Sequence, residues 1–176
     1  MFKKMFVLLG AFSVGVAVAD LSTGRFDGIN LNYGRTTSSD INVFGHDWRW
    51  DLPLYPTQNS AGHLLFGITR WQDDSAANNS FVGLHLTPTL RFVLPSNNEF
   101  FSPYLDFGVG VAYLGRKDFG DHYSLGSNFK METDIVIGAN FGTQSEYEFG
   151  IAYTHYGLGG GDDVDLLPRM YFGYHF

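Results

Sequence analysis

No cysteine occurs among the 176 residues, so disulfides and thiolate metal sites are excluded and stability must come from burial and backbone pairing. Charge is scarce as well: Asp, Glu, Lys and Arg make up 16% of the chain, against roughly 25% in ordinary soluble domains. The formal net charge is −7 and no basic stripe is visible, which excludes a nucleic-acid groove, since phosphates need clustered Lys and Arg. No segment after the first residues approaches 18 consecutive apolar positions, which excludes a helical membrane protein. No apolar stripe of helical period runs longer than two turns. Gly159-Gly160-Gly161 lacks the Lys-Ser/Thr of a phosphate loop and reads as a flexible surface loop. The histidines His46, His63, His85, His122, His155 and His175 lack the i, i+4 pair of a zinc helix, and read as lumen or interface residues. No cofactor and no resident metal are expected.

What remains is rich in glycine, 22 residues, and in aromatics, 17%. The N-terminus reads as an export signal. Lys3 and Lys4 form a positive start, Phe6 to Val18 an apolar stretch, and Ala17-Val18-Ala19 a small-residue cleavage pattern. Residues 1–19 are therefore set aside, and residues 20–176 are expected to form one domain beginning at Asp20.

Alternation of period two recurs through that domain, the signature of strands with one apolar and one polar face. Leu105, Phe107, Val109, Val111 and Tyr113 alternate with Asp106, Gly108, Gly110 and Ala112; Tyr147, Phe149, Ile151 and Tyr153 alternate with Glu148, Gly150, Ala152 and Thr154. Met170, Phe172, Tyr174 and Phe176 likewise oppose Arg169, Tyr171, Gly173 and His175. Eight strands are predicted at 24–34, 41–52, 62–72, 80–93, 103–115, 126–142, 146–157 and 164–176. Short turns at 53–57, 95–98 and 142–145 alternate with longer loops near 35–40, 73–79, 116–125 and 158–163, the habit of outer-membrane barrels.

The choice is between an eight-stranded antiparallel transmembrane β-barrel and a soluble sandwich or lipocalin-like barrel with its apolar face inward. The polar face favours the membrane barrel. It is made of Gly, Ala, Asn and Thr with sparse charges, such as Arg91, Asp106, Asp134, Glu148 and Arg169, that suit a narrow lumen where they could pair. Aromatics near strand ends, Trp48, Trp50, Trp71, Tyr104, Tyr113, Tyr147, Tyr153 and Tyr174, read as interface girdles. Such a barrel belongs in the bacterial outer membrane with lipid as its partner. The sequence names no protein partner and leaves a homodimer open. A pore is not expected, because eight strands leave an interior filled by side chains.

One residue breaks the pattern. His155 shares parity with Tyr147, Phe149, Ile151 and Tyr153, so the pleat carries an ionisable imidazole to the lipid-facing side near one interface, where polar groups are costly and often mark function.

The segments Leu86-Thr87-Pro88-Thr89-Leu90-Arg91-Phe92, Pro103 to Val111 and Ala152-Tyr153-Thr154-His155-Tyr156-Gly157 together resemble the outer-membrane lipid A 3-O-deacylases of the PagL type. The resemblance implies an eight-stranded barrel, an outer-surface His, Ser and acid, and hydrolysis of an acyl ester of lipopolysaccharide. It makes His155 the general base and Asp165 or Asp163 its orienting acid. The family serine, two residues after the histidine, is here Gly157, which supplies no hydroxyl. The nucleophile is therefore open: an inactive relative, a substitute such as Ser124 or Ser127, or water activated by His155 itself. A non-enzymatic structural or loop-presenting barrel is the competing function. Asp162, Asp163 and Asp165 could alternatively bridge divalent cations to lipid phosphates.

Overall fold

The computed structural model describes residues 24–37, 41–52, 60–73, 80–119, 123–158 and 160–176. The export segment, the turn at 53–57, the tips of the loops near 38–40 and 74–79, and His122 lie outside the described residues. The strands are β1 (Arg25–Thr36), β2 (Ile41–Leu52), β3 (Ser60–Asp73), β4 (Ser80–Val93), β5 (Phe101–Leu114), β6 (Asp118–Phe119), β7 (Tyr123–Ser124), β8 (Phe129–Phe141), β9 (Tyr147–Gly157) and β10 (Val164–His175). The eight long ones close a barrel in the order β1-β10-β9-β8-β5-β4-β3-β2. All neighbours are antiparallel, and β1 seals onto β10 from Gly28 opposite His175 to Thr36 opposite Leu166. Closure leaves no edge of the eight-stranded barrel unpaired, the condition for a sheet in hydrocarbon.

The faces are inverted relative to a soluble barrel. Ile137 is 68% exposed and Phe172 55%, whereas Asp47, Glu132 and Arg169 are fully buried. This apolar exterior is the lipid-facing band of an outer-membrane barrel.

The lumen has two parts. Through most of its length charged pairs fill it. Arg91 forks onto Asp106 at 2.9 and 2.7 Å and reaches Glu148 at 2.9 Å. Arg49 joins Asp27 to Glu148, and Arg169 lies 3.8 Å from Asp134. The charges read as lumen partners thus meet there, as buried charges must. A cavity of about 10 Å³ beside Arg91, Asp106 and Asp134 holds about one water. At the end bearing the longer loops the filling is apolar: Ile41, Val43, Trp71, Leu114, Leu125, Tyr156, Val164 and Leu166 form one buried cluster.

Two girdle assignments change accordingly. Trp71 points inward, stacked on Phe81 at 5.5 Å within the apolar plug. Tyr104 also points inward, beneath the Arg91 guanidinium at 3.5 Å. The loop read at 116–125 carries the β6–β7 ladder, and β8 begins at Phe129 because the preceding residues turn Leu125 into the lumen mouth.

Candidate functional site

The outer end of β9 and β10 builds the site. Along β9, Tyr153 is exposed, Thr154 buried, His155 half-buried and Tyr156 buried, so regular alternation delivers the imidazole to the outer face as its parity requires. Asp165 arrives by a different route. On β10 Arg169 faces the lumen, and strict alternation would send Asp165, four residues earlier, the same way. Instead Leu167 and Pro168 both face outward, and the ladder with β9 shifts register between Leu166 and Arg169. A bulge of this kind inserts one residue and inverts the facing of everything beyond it. Asp165 therefore lies outside, directly opposite His155 in the ladder.

Their side chains meet: His155 Nδ1 is 2.8 Å from Asp165 Oδ1. An ionised carboxylate only accepts, so Nδ1 carries the ring proton and Nε2 is left as an acceptor. The Tyr153 hydroxyl donates to the same Oδ1 at 2.6 Å, and so fixes the carboxylate from a second side. Tyr153 reads in sequence as a girdle aromatic; its parity with His155, two residues away, was the signal for its part in the site.

Gly157 shares the outward parity of His155. A Cβ built there would lie 2.5 Å from His155 Nε2 and 3.0 Å from Asp163 Oδ1, so the imidazole leans over the glycine and Asp163 faces it. Of the two acids expected as orienter, Asp165 holds the ring, whereas Asp163 lies against Gly157, the residue that Nε2 also approaches.

The other candidates are engaged elsewhere. Asp162 and Ser124 bond reciprocally: the Asp162 amide donates to Ser124 O at 2.8 Å and the Ser124 amide to Asp162 Oδ2 at 3.0 Å. The Ser127 hydroxyl accepts from the Phe129 amide at 3.1 Å. Among the described residues His155 makes no hydrogen bond to a serine. Nor do the three aspartates converge as a cation site; among the described residues no group of three metal-ligating side chains forms.

The loop beneath is anchored rather than loose. Buried Lys130 donates to Gly160 O at 2.8 Å and Asp162 O at 3.0 Å. Gly161, at φ +73°, packs so closely on Ser124, Leu125 and Gly126 that a Cβ would meet backbone atoms at 2.3 to 2.5 Å; only glycine fits both constraints. This replaces the expectation of a flexible triple-glycine loop at 160–161.

Three comparisons bear on this geometry. A search of curated proteins finds no match. Among solved structures, the crystal structure of the outer membrane enzyme PagL superposes with a TM-score of 0.70 at 19% identity, over 84% of this chain and 98% of that one. The N-terminal β-barrel domain of Pseudomonas aeruginosa OprF follows, with a TM-score of 0.52 at 13% identity, over 88% and 100%. Neisserial surface protein A has a TM-score of 0.51 at 11% identity, over 85% and 94%. At these identities the likeness is one of fold, the eight-stranded outer-membrane barrel. A family model described as lipid A 3-O-deacylase (PagL) matches residues 35–157, ending on Gly157 itself. The chain belongs to the lipid A 3-O-deacylase (PagL) family and is a barrel of the bacterial outer membrane.

Proposed function

We propose that this barrel hydrolyses an ester-linked acyl chain of lipid A in the outer leaflet, with His155 activating water in place of the family serine. The observation that carries the reading is the 2.8 Å hydrogen bond between His155 and Asp165 on the lipid-facing side. Polar pairs are expensive there, and this one ties β9 to β10, which their backbone ladder already joins. Stability gives no reason for it, whereas general-base chemistry does.

In the step, Nε2 takes a proton from water as the water oxygen bonds to the acyl carbonyl carbon. The tetrahedral oxyanion then collapses, the bond from carbonyl carbon to sugar oxygen breaks, and the imidazolium returns its proton to the departing oxygen. The products are a free fatty acid and a lipid with a free hydroxyl. Asp165 holds the ring in the reactive tautomer and stabilises the imidazolium. Family membership supplies the substrate class, and an outward-facing dyad admits it laterally from the membrane. Export through a signal peptide at residues 1–19 belongs to the same reading.

The test is mass spectrometry of lipid A from a lipopolysaccharide-producing host expressing the protein, His155→Ala and Gly157→Ser, each verified as a folded barrel. Loss of one hydroxyacyl group with the wild type but not with His155→Ala is expected. The intact wild-type protein should carry no acyl adduct and resist a fluorophosphonate probe, which Gly157→Ser should take up. The new Cβ displaces only the tips of the His155 and Asp163 side chains, so the barrel should tolerate it. Unchanged lipid A with the wild type but deacylation by Gly157→Ser would overturn the hydrolase reading in favour of a non-enzymatic barrel.

A further inference from the structure

Asp163 is an exposed carboxylate with no hydrogen bond or ion pair among the described residues, and its Oδ1 lies against Gly157. Its Oδ1 lies 3.0 Å from the position a Cβ of residue 157 would take, and His155 Nε2 lies 2.5 Å from the same point. Two acceptors thus converge on the outer face of a residue with no side chain. Nε2 is an acceptor because Asp165 claims the proton on Nδ1; the Asp163 carboxylate accepts by its nature. A hydroxyl brings one hydrogen and can satisfy only one of them. Water brings two and satisfies both, with its lone pairs turned away toward the membrane.

Building on the hydrolase reading above, we propose that Asp163 is a second catalytic carboxylate that, with His155 Nε2, holds the nucleophilic water over Gly157. Asp163 accepts a hydrogen bond from one water hydrogen, which stays on the oxygen and fixes its orientation. Nε2 removes the other as the oxygen attacks the acyl carbon. The product acid keeps the hydrogen that Asp163 held, and the proton on Nε2 passes to the leaving sugar oxygen, so the step balances without a further reactant. The glycine is then part of the mechanism: any Cβ at 157 enters the space between the two acceptors. Two aspartates two residues apart have opposite tasks, Asp165 behind the ring as orienter and Asp163 in front of it as water holder.

The test measures fatty-acid release from lipid A in detergent micelles by the full-length folded barrel, His155→Ala, Asp163→Asn, Asp163→Glu and Gly157→Ala, each checked for the heat-dependent gel mobility of a closed barrel. Asp163→Asn and Gly157→Ala should each lower kcat on the order of 100-fold with KM within about twofold, and Asp163→Glu should recover part of the Asn loss, since it restores the charge at a different reach. If His155→Ala is inactive while Asp163→Asn or Gly157→Ala stays within about threefold of wild-type kcat, the water-holding role is overturned and the hydrolase reading stands. A raised KM at unchanged kcat would overturn it too, making Asp163 a lipid contact. No release by the wild type, or equal release by His155→Ala, would sink both.

Discussion

Two histidines in this barrel have nearly the same partners and opposite prospects. His85 on β4 is fully enclosed in the lumen, with Nδ1 2.9 Å from Glu132 and Nε2 3.0 Å from Asp47. Both nitrogens donate to carboxylates from β8 and β2, so the ring is a cationic tie across the interior and has no atom left for chemistry. His155 is on the outside with a carboxylate on Nδ1 alone. On the hydrolase reading proposed above, the free Nε2 is the difference between a structural imidazole and a base. Charge pairing alone, which both possess, does not single out a candidate site; among the described residues a ring nitrogen left without a partner on the lipid-facing side does.

The largest effects should separate the two. His155→Ala and Asp165→Asn should each reduce deacylation by about 10²–10⁴-fold, read as fatty acid released per folded barrel, with the folding midpoint in denaturant hardly moved because a partly exposed pair contributes about 0–1 kcal/mol. His85→Ala should do the reverse. It takes the cation from between Asp47 and Glu132, fully buried carboxylates that keep hydrogen bonds from Asn32 and Thr87, at a cost of about 3 kcal/mol, seen as a fall in the temperature at which the barrel loses its compact gel mobility. Its deacylation rate per folded barrel should match the wild type. A rate loss in His85→Ala without loss of stability would break the contrast.

Lys130→Met probes the support beneath the site, and its effect should be local. Losing the charged hydrogen bonds to Gly160 and Asp162, each about 1.5–3 kcal/mol, should loosen residues 160–163. Deuterium exchange in that segment should rise while exchange in the barrel strands stays low.

How much of this was legible in sequence depended on how far simple alternation carries. It carried the barrel, the inversion of its faces and the outward placement of His155, because β9 is unbroken from Tyr147 to Gly157. It did not carry Asp165. Counting back from Arg169 puts that carboxylate in the lumen, and only the Leu167–Pro168 bulge brings it out; the family resemblance, not the pleat, pointed to it. Tyr104 was legible and misread: it shares parity with Asp106, so proximity to a strand end was the weaker signal. Trp71 and Leu125 belong to a plug that no local pattern announces, since an aromatic near a strand end looks the same whether it faces lipid or closes the mouth. The separation of roles between Asp163 and Asp165 needs the curl of the loop over Gly157, which spacing cannot give.

The smallest predicted effect tests the finest point of the comparison. Asp165 accepts at one oxygen from both His155 Nδ1 and the Tyr153 hydroxyl, at 2.8 and 2.6 Å, whereas the carboxylates on His85 are held by the packed lumen around them. On the open face the hydroxyl takes over what packing does inside. Tyr153→Phe removes that one donor, worth about 0.5–1.5 kcal/mol, and should slow kcat by roughly 2- to 13-fold with KM unchanged. Phenylalanine is as comfortable at this depth as tyrosine, so the barrel should lose no more than about 1.5 kcal/mol of stability. A ¹⁵N spectrum of the histidine ring should show a smaller share of the Nδ1-protonated form, because a freer Asp165 holds that proton less firmly. If kcat and the tautomer share both stay at wild-type values, Tyr153 is an interface aromatic and nothing more, and His155–Asp165 orients itself without help.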